Sequence, residues 1–379
     1  MTSRHPERSE GSAIAPFDAG NERFRAGVRR FVERELAPKA ERWEQTAQFP
    51  RTAISACGRK GYLALNADRT AVFAEELARC ESAGVALSVL VQAALVAPLL
   101  ERLGSAEQQR RYLTPLRAGR KVAAMAVSEP DAGSDLAAIT SRALERRDGF
   151  VLNGEKVYIT NGSAADFLIV AARTGTSTDA GLSLFLVRTD TKGVKAELLP
   201  SLGLKTTAMG RIVFRNCRLD RDAMLGENGS GYAYVQEALN RERLFGGIGA
   251  VAWANHALEK TIKHLRTRRA FGSTLNRFQA VRHQLADAAT NLEAARQLNY
   301  ATYARWKAGD DVMKHIAMIK LFSFQQAQRT IETCLQLHGG LGYRDDHWTS
   351  RWYRDARALT IAAGTPEIMR EVIAACMRL

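Results

Sequence analysis

The hydrophobic period of this 379-residue chain changes twice, and this limits the folds that are open to it. At the N-terminal end apolar residues such as Phe24, Val28 and Phe31 recur every three or four positions, which predicts amphipathic helices. A central part has short runs of β-branched and aromatic residues separated by Gly, Asn, Asp and Ser, which predicts β-strands. The helical period then returns. We expect a mainly α protein with a central β domain, divided into a disordered tail at 1–16, a helical domain at 17–121, an antiparallel β domain at 122–230 and a helical domain at 231–379.

Three dipeptides in the β part predict tight connections. They are Asp148-Gly149, Asn153-Gly154 and Asn161-Gly162, and all three contain residues that tolerate positive φ.

Charge and cysteine usage exclude several classes of function. The net charge of +14 comes from 54 basic and 40 acidic residues spread along the chain, without a Lys/Arg tract, so nucleic-acid binding is not indicated. A diffuse positive field favours anionic small molecules, such as phosphorylated cofactors, or an acidic carrier protein. The five cysteines lack zinc-site spacing, so we expect no metal. Without a signal peptide or a run of about 20 strongly apolar residues, we expect a cytoplasmic protein with no membrane span.

Glu242 is the candidate catalytic residue. It lies between Arg241 and Arg243, and the following run 244–258 contains no Asp, Glu, Lys or Arg, which predicts a helix that is buried on most sides. A carboxylate at the entrance to such an interior loses hydration and gains affinity for a proton, as a general base requires. The alternative is a solvated ion cluster at the start of a helix.

Two motifs in the β part offer groups that suit a flat heteroaromatic ring. The segment 125–135, Met-Ala-Val-Ser-Glu-Pro-Asp-Ala-Gly-Ser-Asp, predicts a strand that enters a loop with free backbone N–H groups and hydroxyls. In the strand at 154–162, alternation places Tyr158 and Thr160 on one face, where they can stack on a ring and bond its edge. The alternatives are a plain β-turn and a half-buried strand.

Together these motifs resemble the flavin-binding signature of the acyl-CoA dehydrogenase family. The resemblance continues through 268–272 (Arg-Arg-Ala-Phe-Gly), Gln279, 336–342 (Gln-Leu-His-Gly-Gly-Leu-Gly), 354–357 (Arg-Asp-Ala-Arg) and 364–370 (Gly-Thr-Pro-Glu-Ile-Met-Arg). It covers nearly the whole chain from about Phe17, in the family's order and spacing.

The resemblance implies a middle β-barrel, a C-terminal four-helix bundle, bound FAD and a homotetramer built as a dimer of dimers, with a homodimer as the smaller alternative. The implied FAD contacts are Val127, Ser128, Ser134, Tyr158, Thr160, Arg268, Phe271, Gln279, Gln336, Gly339, Gly340, Thr365 and Glu367, of which Arg268, Phe271 and Gln279 would reach the FAD of a neighbouring subunit. The implied substrate contacts are Ser134, Arg243, Ala363 and Gly364.

The implied reaction is α,β-dehydrogenation of an acyl thioester to the 2-enoyl thioester, with flavin N5 as hydride acceptor. Most relatives place the base directly before the Gly-Thr of the last motif, where this chain has Ala363. Isovaleryl-CoA and long-chain acyl-CoA dehydrogenases instead place it in a Glu-Arg pair on an earlier helix, and Glu242-Arg243 matches that position. A shortened loop at 66–71 borders the implied acyl pocket, so chain length and branching are left open.

Three functions therefore stand side by side. The first is a dehydrogenase of fatty or branched-chain acyl metabolism that acts on coenzyme A or acyl carrier protein thioesters, with an electron-transfer flavoprotein as acceptor. The second is a flavin-dependent monooxygenase or oxidase on the same fold. The third is a non-catalytic flavoprotein, motivated by Ala363.

Overall fold

The computed structural model describes residues 17–174 and 181–379, so the predicted tail at 1–16 lies outside the described residues. The first part is helical. Its α-helices are α1 Ala19–Phe31, α2 Ala37–Gln45, α3 Arg51–Arg59, α4 Ala67–Leu77, α5 Ala83–Leu90, α6 Ala97–Leu103, α7 Ala106–Gln108 and α8 Thr114–Arg117, and π-helical turns at Val32–Leu36, Val91–Val96 and Gln109–Leu113 join several of them into longer rods.

The start of α1 and α7 follows the capping rules. Asp18 accepts a hydrogen bond from the Asn21 amide, and Ser105 forms a capping box with Gln108, which satisfies amides that have no partner within the helix. Val28 and Phe31 are buried, as the apolar period predicted. Pro38 does not break the rod, because it occupies the first turn of α2, where no amide is needed.

One helical stretch of the described residues, Ala83–Leu103, is long and apolar enough to cross a membrane. In its most apolar window, 78% of the residues are buried inside the protein. That degree of burial is what a core helix of a folded chain shows.

The central part is a sheet with strands β1 Ala123–Ala126, β2 Arg142–Arg146, β3 Gly149–Ile159, β4 Phe167–Thr174, β5 Leu182–Arg188, β6 Val194–Leu198, β7 Gly210–Asp220 and β8 Met224–Leu225. Their order is β6-β7-β3-β2-β4-β5-β8, with β1 beside β4. The prediction of an antiparallel sheet is wrong in part, because β1 and β2 both run parallel to β4. The pairing of the described strands forms an open path, so the closed barrel that the resemblance implied is not found.

Two of the three predicted tight turns are confirmed. Asp148-Gly149 ends the hairpin between β2 and β3, and Asn161 has φ of 65° in the turn after β3. The turn at Asn153-Gly154 is wrong: these residues lie inside β3, where the register to β7 shifts at a bulge. A bulge and a turn both call for Asn and Gly, which is why sequence cannot separate them there.

The C-terminal part is helical: α9 Gly231–Thr267, α10 Gln279–Lys307, α11 Met313–His338, α12 Trp348–Ile361 and α13 Pro366–Cys376, with two short strands, β9 Arg269–Ala270 and β10 Ser273–Thr274, between α9 and α10. The predicted buried helix at 244–258 is part of α9, and Leu244, Phe245 and Ala254 are fully buried. Because α9 begins at Gly231, Glu242 lies well inside the helix, and the alternative of an ion cluster at a helix start is wrong.

Buried polar side chains join the three parts. The Gln92 side chain accepts from the Ala123 amide at 2.8 Å and donates to the Ala123 carbonyl at 2.9 Å, so it extends β1 into the helical part. The Asn161 amide group donates to the Ser88 carbonyl of α5 at 3.2 Å. Asp355 of α12 accepts from the Leu204 amide at 2.6 Å. The Asn161–Ser88 bond ties the turn after β3 to α5, where the candidate site lies.

Candidate active site

An apolar cavity of about 100 Å³ lies where the three parts meet. The α4 and α5 helices contribute small and aliphatic side chains, Thr160 faces it from the end of β3, and α9, α11 and α12 complete the wall. The α9 residues that line it lie on one face of the helix: Glu242, Arg243, Gly246, Gly249, Ala250 and Trp253. At about 1.5 Å per residue, this stripe extends about 16 Å from Glu242 to Trp253.

Glu242 faces this cavity with a carboxylate that is not bound to another side chain. Among the described residues it has no hydrogen bond, and no Lys, Arg or His nitrogen lies within 4.0 Å of it. Burial raises the pKa of Glu242, while the charges of Arg243 and Lys320 pull it in the opposite direction. The outcome is a carboxylate with enhanced proton affinity and open lone pairs.

Arg243 points away from Glu242. Its Nε donates to the Ala363 carbonyl at 2.8 Å, and its Nη1 donates to the Asn240 side-chain oxygen at 2.9 Å. Ala363 has φ of 55°, and Gly364 follows with φ of 111° beside the Arg243 guanidinium. Neighbouring residues of a helix do not face each other, so Arg243 holds the segment after α12 and leaves Glu242 free.

The turn after β1 is held by a buried ion pair. Lys156 is fully buried, and its Nζ donates to the Val127 carbonyl at 2.7 Å and to Glu129 Oε1 at 2.8 Å. The Glu129 carboxylate also accepts from the Thr140 amide and hydroxyl, both at 2.7 Å. Burial alone would raise the pKa of Glu129, but Lys156 and these hydrogen bonds outweigh it and lower the pKa to about 2. The pair fixes Val127 and the adjoining Ser128.

The end of β3 brings Tyr158 and Thr160 beside this turn by a route that alternation did not predict. The register to β7 shifts between Lys156 and Ile159, and Tyr158 has φ of 60° and is 66% exposed. Thr160 follows the strand and lines the cavity. The Val157 amide donates to the Ser128 carbonyl at 3.0 Å, which ties the two motifs together.

These groups fit the flavin of FAD. Among the described residues the hydroxyls of Ser128 and Thr160 have no hydrogen-bond partner, and both residues are only partly buried. The exposed Tyr158 lies two residues before Thr160 and next to Val157, whose amide donates to the Ser128 carbonyl. Free hydroxyls and an aromatic face are what a flat ring with polar edges requires. Ser134 is exposed in the loop that follows the turn.

The other predicted FAD contacts do not line the cavity. Most of them are exposed, and they lie at the far ends of the C-terminal helices or in the connections between them: Arg268, Phe271, Gln279, Gln336, Gly339 and Gly340. Phe271 is 96% exposed, and nothing lies within 4 Å of a Cβ built on Gly339 or Gly340. Thr365 caps α13 by accepting from the Ile368 amide, and Glu367 is exposed in its first turn. Their roles stay predictions.

Sequence analysis missed three residues of this region. Lys156 and Glu129 stood inside the recognised motifs, but their pairing depends on how the turn folds back on β3. Lys320 lies between Ile319 and Leu321, and a single lysine in an apolar stretch of helix was a signal that could have been followed.

A larger cavity, of about 520 Å³, lies between α2, the segment around Gly203 and α12. Charged side chains such as Glu44, Arg351 and Asp355 line it, and it contains none of the predicted site residues. The smaller cavity is therefore the candidate site, because it combines an apolar wall with a single accessible carboxylate.

The site combines a carboxylate with raised proton affinity and a set of residues that fit a flavin ring. This combination defines a class of enzyme that oxidises a bound apolar molecule. Comparisons with known proteins agree with that class. Sequence models match residues 19–120 as "Acyl-CoA dehydrogenase, N-terminal domain", 124–217 as the middle domain and 229–377 as the C-terminal domain.

Three relatives illustrate the similarity. The mitochondrial long-chain specific acyl-CoA dehydrogenase of Rattus norvegicus is 33% identical over 373 residues, covering 94% of this chain and 86% of that protein. The crystal structure of an acyl-CoA dehydrogenase from Geobacillus kaustophilus has a TM-score of 0.91 at 30% identity and covers 96% of this chain and 100% of its own. A prolyl acyl carrier protein oxidase has a TM-score of 0.91 at 27% identity, with 96% and 100% covered.

The chain belongs to the acyl-CoA dehydrogenase family. It is an oxidoreductase with the fold of that family, and FAD is its cofactor. Its reaction class is FAD-dependent dehydrogenation of acyl thioesters.

Proposed function

We propose that Glu242 is the base that removes the α-proton of an acyl thioester whose acyl chain lies in the apolar cavity. The observation that carries the proposal is the Glu242 carboxylate: it faces the cavity without a hydrogen bond among the described residues, while position 363, on the same wall, carries a methyl group. A base needs an accessible lone pair and a pKa above that of a solvated carboxylate. The open carboxylate supports the first requirement, and burial, which raises the pKa of Glu242, supports the second.

The remaining residues of the site bind the cofactor and exclude water. FAD, when bound, supplies the acceptor for the hydride that leaves the β-carbon. Ser128, Tyr158 and Thr160 would hold its ring, and the apolar wall keeps water from the carboxylate while the proton moves to it. Arg243 keeps the segment at Ala363 in place through its carbonyl.

The acyl chain is proposed to lie along α9. The wall between Glu242 and Trp253 is made of glycine, alanine and aliphatic side chains, which favours an apolar acyl group over a polar one. Coenzyme A and acyl carrier protein both stay possible carriers: the first agrees with the long-chain relative, and the second with the carrier-protein oxidase. An electron-transfer flavoprotein is the proposed acceptor. The cytoplasmic location and the homotetramer or homodimer stay predictions.

The test is anaerobic mixing of the FAD-loaded protein with a panel of acyl-CoA and acyl carrier protein thioesters. We expect at least one thioester to bleach the flavin absorbance and to yield the 2-enoyl product. If no thioester bleaches the flavin, the dehydrogenase assignment fails. The non-catalytic alternative is removed by a single confirmed product.

An oxidase on the same fold is the second candidate, because one structural neighbour is a carrier-protein oxidase. It predicts rapid oxygen consumption during thioester turnover without an added electron acceptor. The measurement is an oxygen electrode trace with and without electron-transfer flavoprotein.

We expect Gly246→Leu to shorten the range of accepted acyl chains. Gly246 is one helical turn from Glu242 on the cavity face, and a Cβ built there meets only the Phe324 ring edge, at 3.2 Å. A leucine would occupy the space of several methylene groups. We expect kcat/KM to fall about 10- to 100-fold for long linear acyl-CoAs and to change little for butyryl-CoA.

The matched control for this variant is Gly246→Ala, which adds only the Cβ. Replacing a helical glycine by alanine stabilises a helix, so any loss of activity cannot be attributed to a weaker α9. Equal losses for butyryl and long-chain substrates would contradict the placement of the acyl chain along α9.

A further inference from the structure

Lys320 is a buried cation in the wall of the cavity. It lies on α11 with 3% of its surface exposed, and it lines the cavity together with Glu242 and Ala363. Its Nζ donates to the Leu359 carbonyl at 2.9 Å and lies 3.4 Å from the Thr360 carbonyl. The Phe324 ring centroid is 4.6 Å away. A lysine is rarely buried to this extent unless its charge interacts with another group.

The carbonyls that Lys320 contacts belong to the last turn of α12. The final carbonyls of a helix have no partner within the helix, and the helix dipole favours a cation at that end. The next residues are Ala362 and Ala363, and Arg243 holds the Ala363 carbonyl. Two cations therefore fix the segment that faces Glu242.

Glu242 gains electrostatic stabilisation from these cations without being bound by them. Of the cavity-lining side chains in the described part of the chain, only Glu242, Arg243 and Lys320 are charged. Arg243 and Lys320 both donate their hydrogen bonds to uncharged oxygens, and neither cation lies within 4.0 Å of the Glu242 carboxylate. A direct ion pair would occupy the lone pairs that must receive a proton. A cation at longer distance favours the ionised form and leaves the oxygens open.

We propose that Lys320 is the positioning residue for Glu242: its ammonium group holds the carboxyl end of α12 and supplies positive potential that keeps the Glu242 carboxylate ionised in an apolar cavity. The α4 and α5 walls offer no opposing charge, since Ser82 is the only polar side chain that they contribute. The inference rests on the proposed role of Glu242 as base, but its test does not require turnover.

The charge state of Lys320 agrees with this role. Burial lowers its pKa to about 7, with Arg243 acting in the same direction and Glu242 against it. The ammonium form therefore predominates below pH 7 and is lost as the pH rises above 7, so the positive potential at Glu242 is present on the acid side of that value.

The experiment is an infrared titration of the Glu242 carboxyl band in the FAD-loaded protein. The band is assigned by subtracting the spectrum of the same protein with Glu242→Gln. We expect Lys320→Met to raise the titration midpoint of Glu242 by about one pH unit, which leaves about tenfold less carboxylate below the midpoint. Lys320→Arg, which retains the charge, should leave the midpoint near that of the unmodified protein.

An unchanged midpoint in Lys320→Met overturns the proposal and assigns Lys320 a purely structural role. If that variant does not fold, Lys320→Gln takes its place, because its amide still donates to the α12 carbonyls but carries no charge. The acid limb of the rate of flavin reduction should shift by the same amount as the infrared midpoint. A shifted infrared midpoint in a protein that bleaches with no thioester would support the role of Lys320 and refute the proposed function.

Discussion

Glu242→Gln should lower the rate of thioester-dependent flavin reduction by about 10²- to 10⁴-fold, the usual contribution of a positioned general base. The substitution preserves the size of the side chain and removes its ability to take the α-proton. Because Glu242 lines the cavity from α9 and is not one of the residues expected to contact FAD, the protein should keep its FAD. Stopped-flow absorbance under anaerobic conditions measures the rate, and the flavin-to-protein ratio measures retention.

The matched control is Glu237→Gln on the same helix. Glu237 pairs with Arg102 at 2.6 Å on the surface and does not line the cavity, so its rate should equal that of the unmodified protein. Undiminished bleaching by Glu242→Gln would show that another group takes the proton.

A second substitution separates loss of the base from distortion of the site. Ala363 lines the same cavity, so Ala363→Glu in the Glu242→Gln background places a carboxylate in that cavity from the segment after α12. We expect this double variant to reduce its flavin at least about tenfold faster than Glu242→Gln alone. General-base catalysis depends on the reach and the pKa of the group more than on the element that carries it. If the rate is not restored although FAD is retained, the geometry of the cavity favours Glu242 alone.

Lys156→Met should lower the free energy of unfolding by about 3–5 kcal/mol, because it leaves the Glu129 carboxylate buried without its partner. The same change removes the hydrogen bond to the Val127 carbonyl, so the turn that carries Ser128 should loosen and FAD should bind more weakly. Chemical denaturation of the apoprotein measures the first effect, and a flavin fluorescence titration measures the second.

The double variant Lys156→Met with Glu129→Gln should recover part of the stability, since no buried charge is then left unpaired. Lys195→Met, at an exposed lysine that pairs with Glu197, should change stability by less than about 0.5 kcal/mol. The stabilisation has a defined pH window: the pKa of Glu129 falls from 4.5 to about 2 on folding, so its contribution is present above pH 4.5 and is lost as the pH falls towards 2. A Lys156→Met protein as stable as the Lys195→Met control would contradict the role of the pair.

The sequence predicted those features that depend on local patterns. The order of helical and β parts and the turn at Asn161 follow from periodicity and from residues with special backbone preferences. The loss of the usual base at Ala363 could also be read directly, because a methyl group cannot take a proton. The burial and the accessibility of Glu242 could be determined only from the structure, because they depend on α4, α5 and α11, which are distant from Glu242 in sequence.

The failures have a common physical cause. The strand direction of β1 and β2 relative to β4 depends on long-range pairing, which residue composition does not encode. The exposure of Tyr158 results from a bulge that is set by the register between β3 and β7. The Lys156–Glu129 and Lys320 interactions each join segments that are brought together only by the tertiary fold.

No single part of the chain contains the apolar cavity. Its walls come from α4 and α5 before the sheet, Thr160 at the end of β3, and α9, α11 and α12 after it. An acyl group bound there acts as a shared core residue, which three separately encoded parts bury together. Its binding free energy then adds to the free energy of unfolding of all three parts together. The occupied protein should therefore unfold as one unit at a higher temperature, and product release should remove this extra stability.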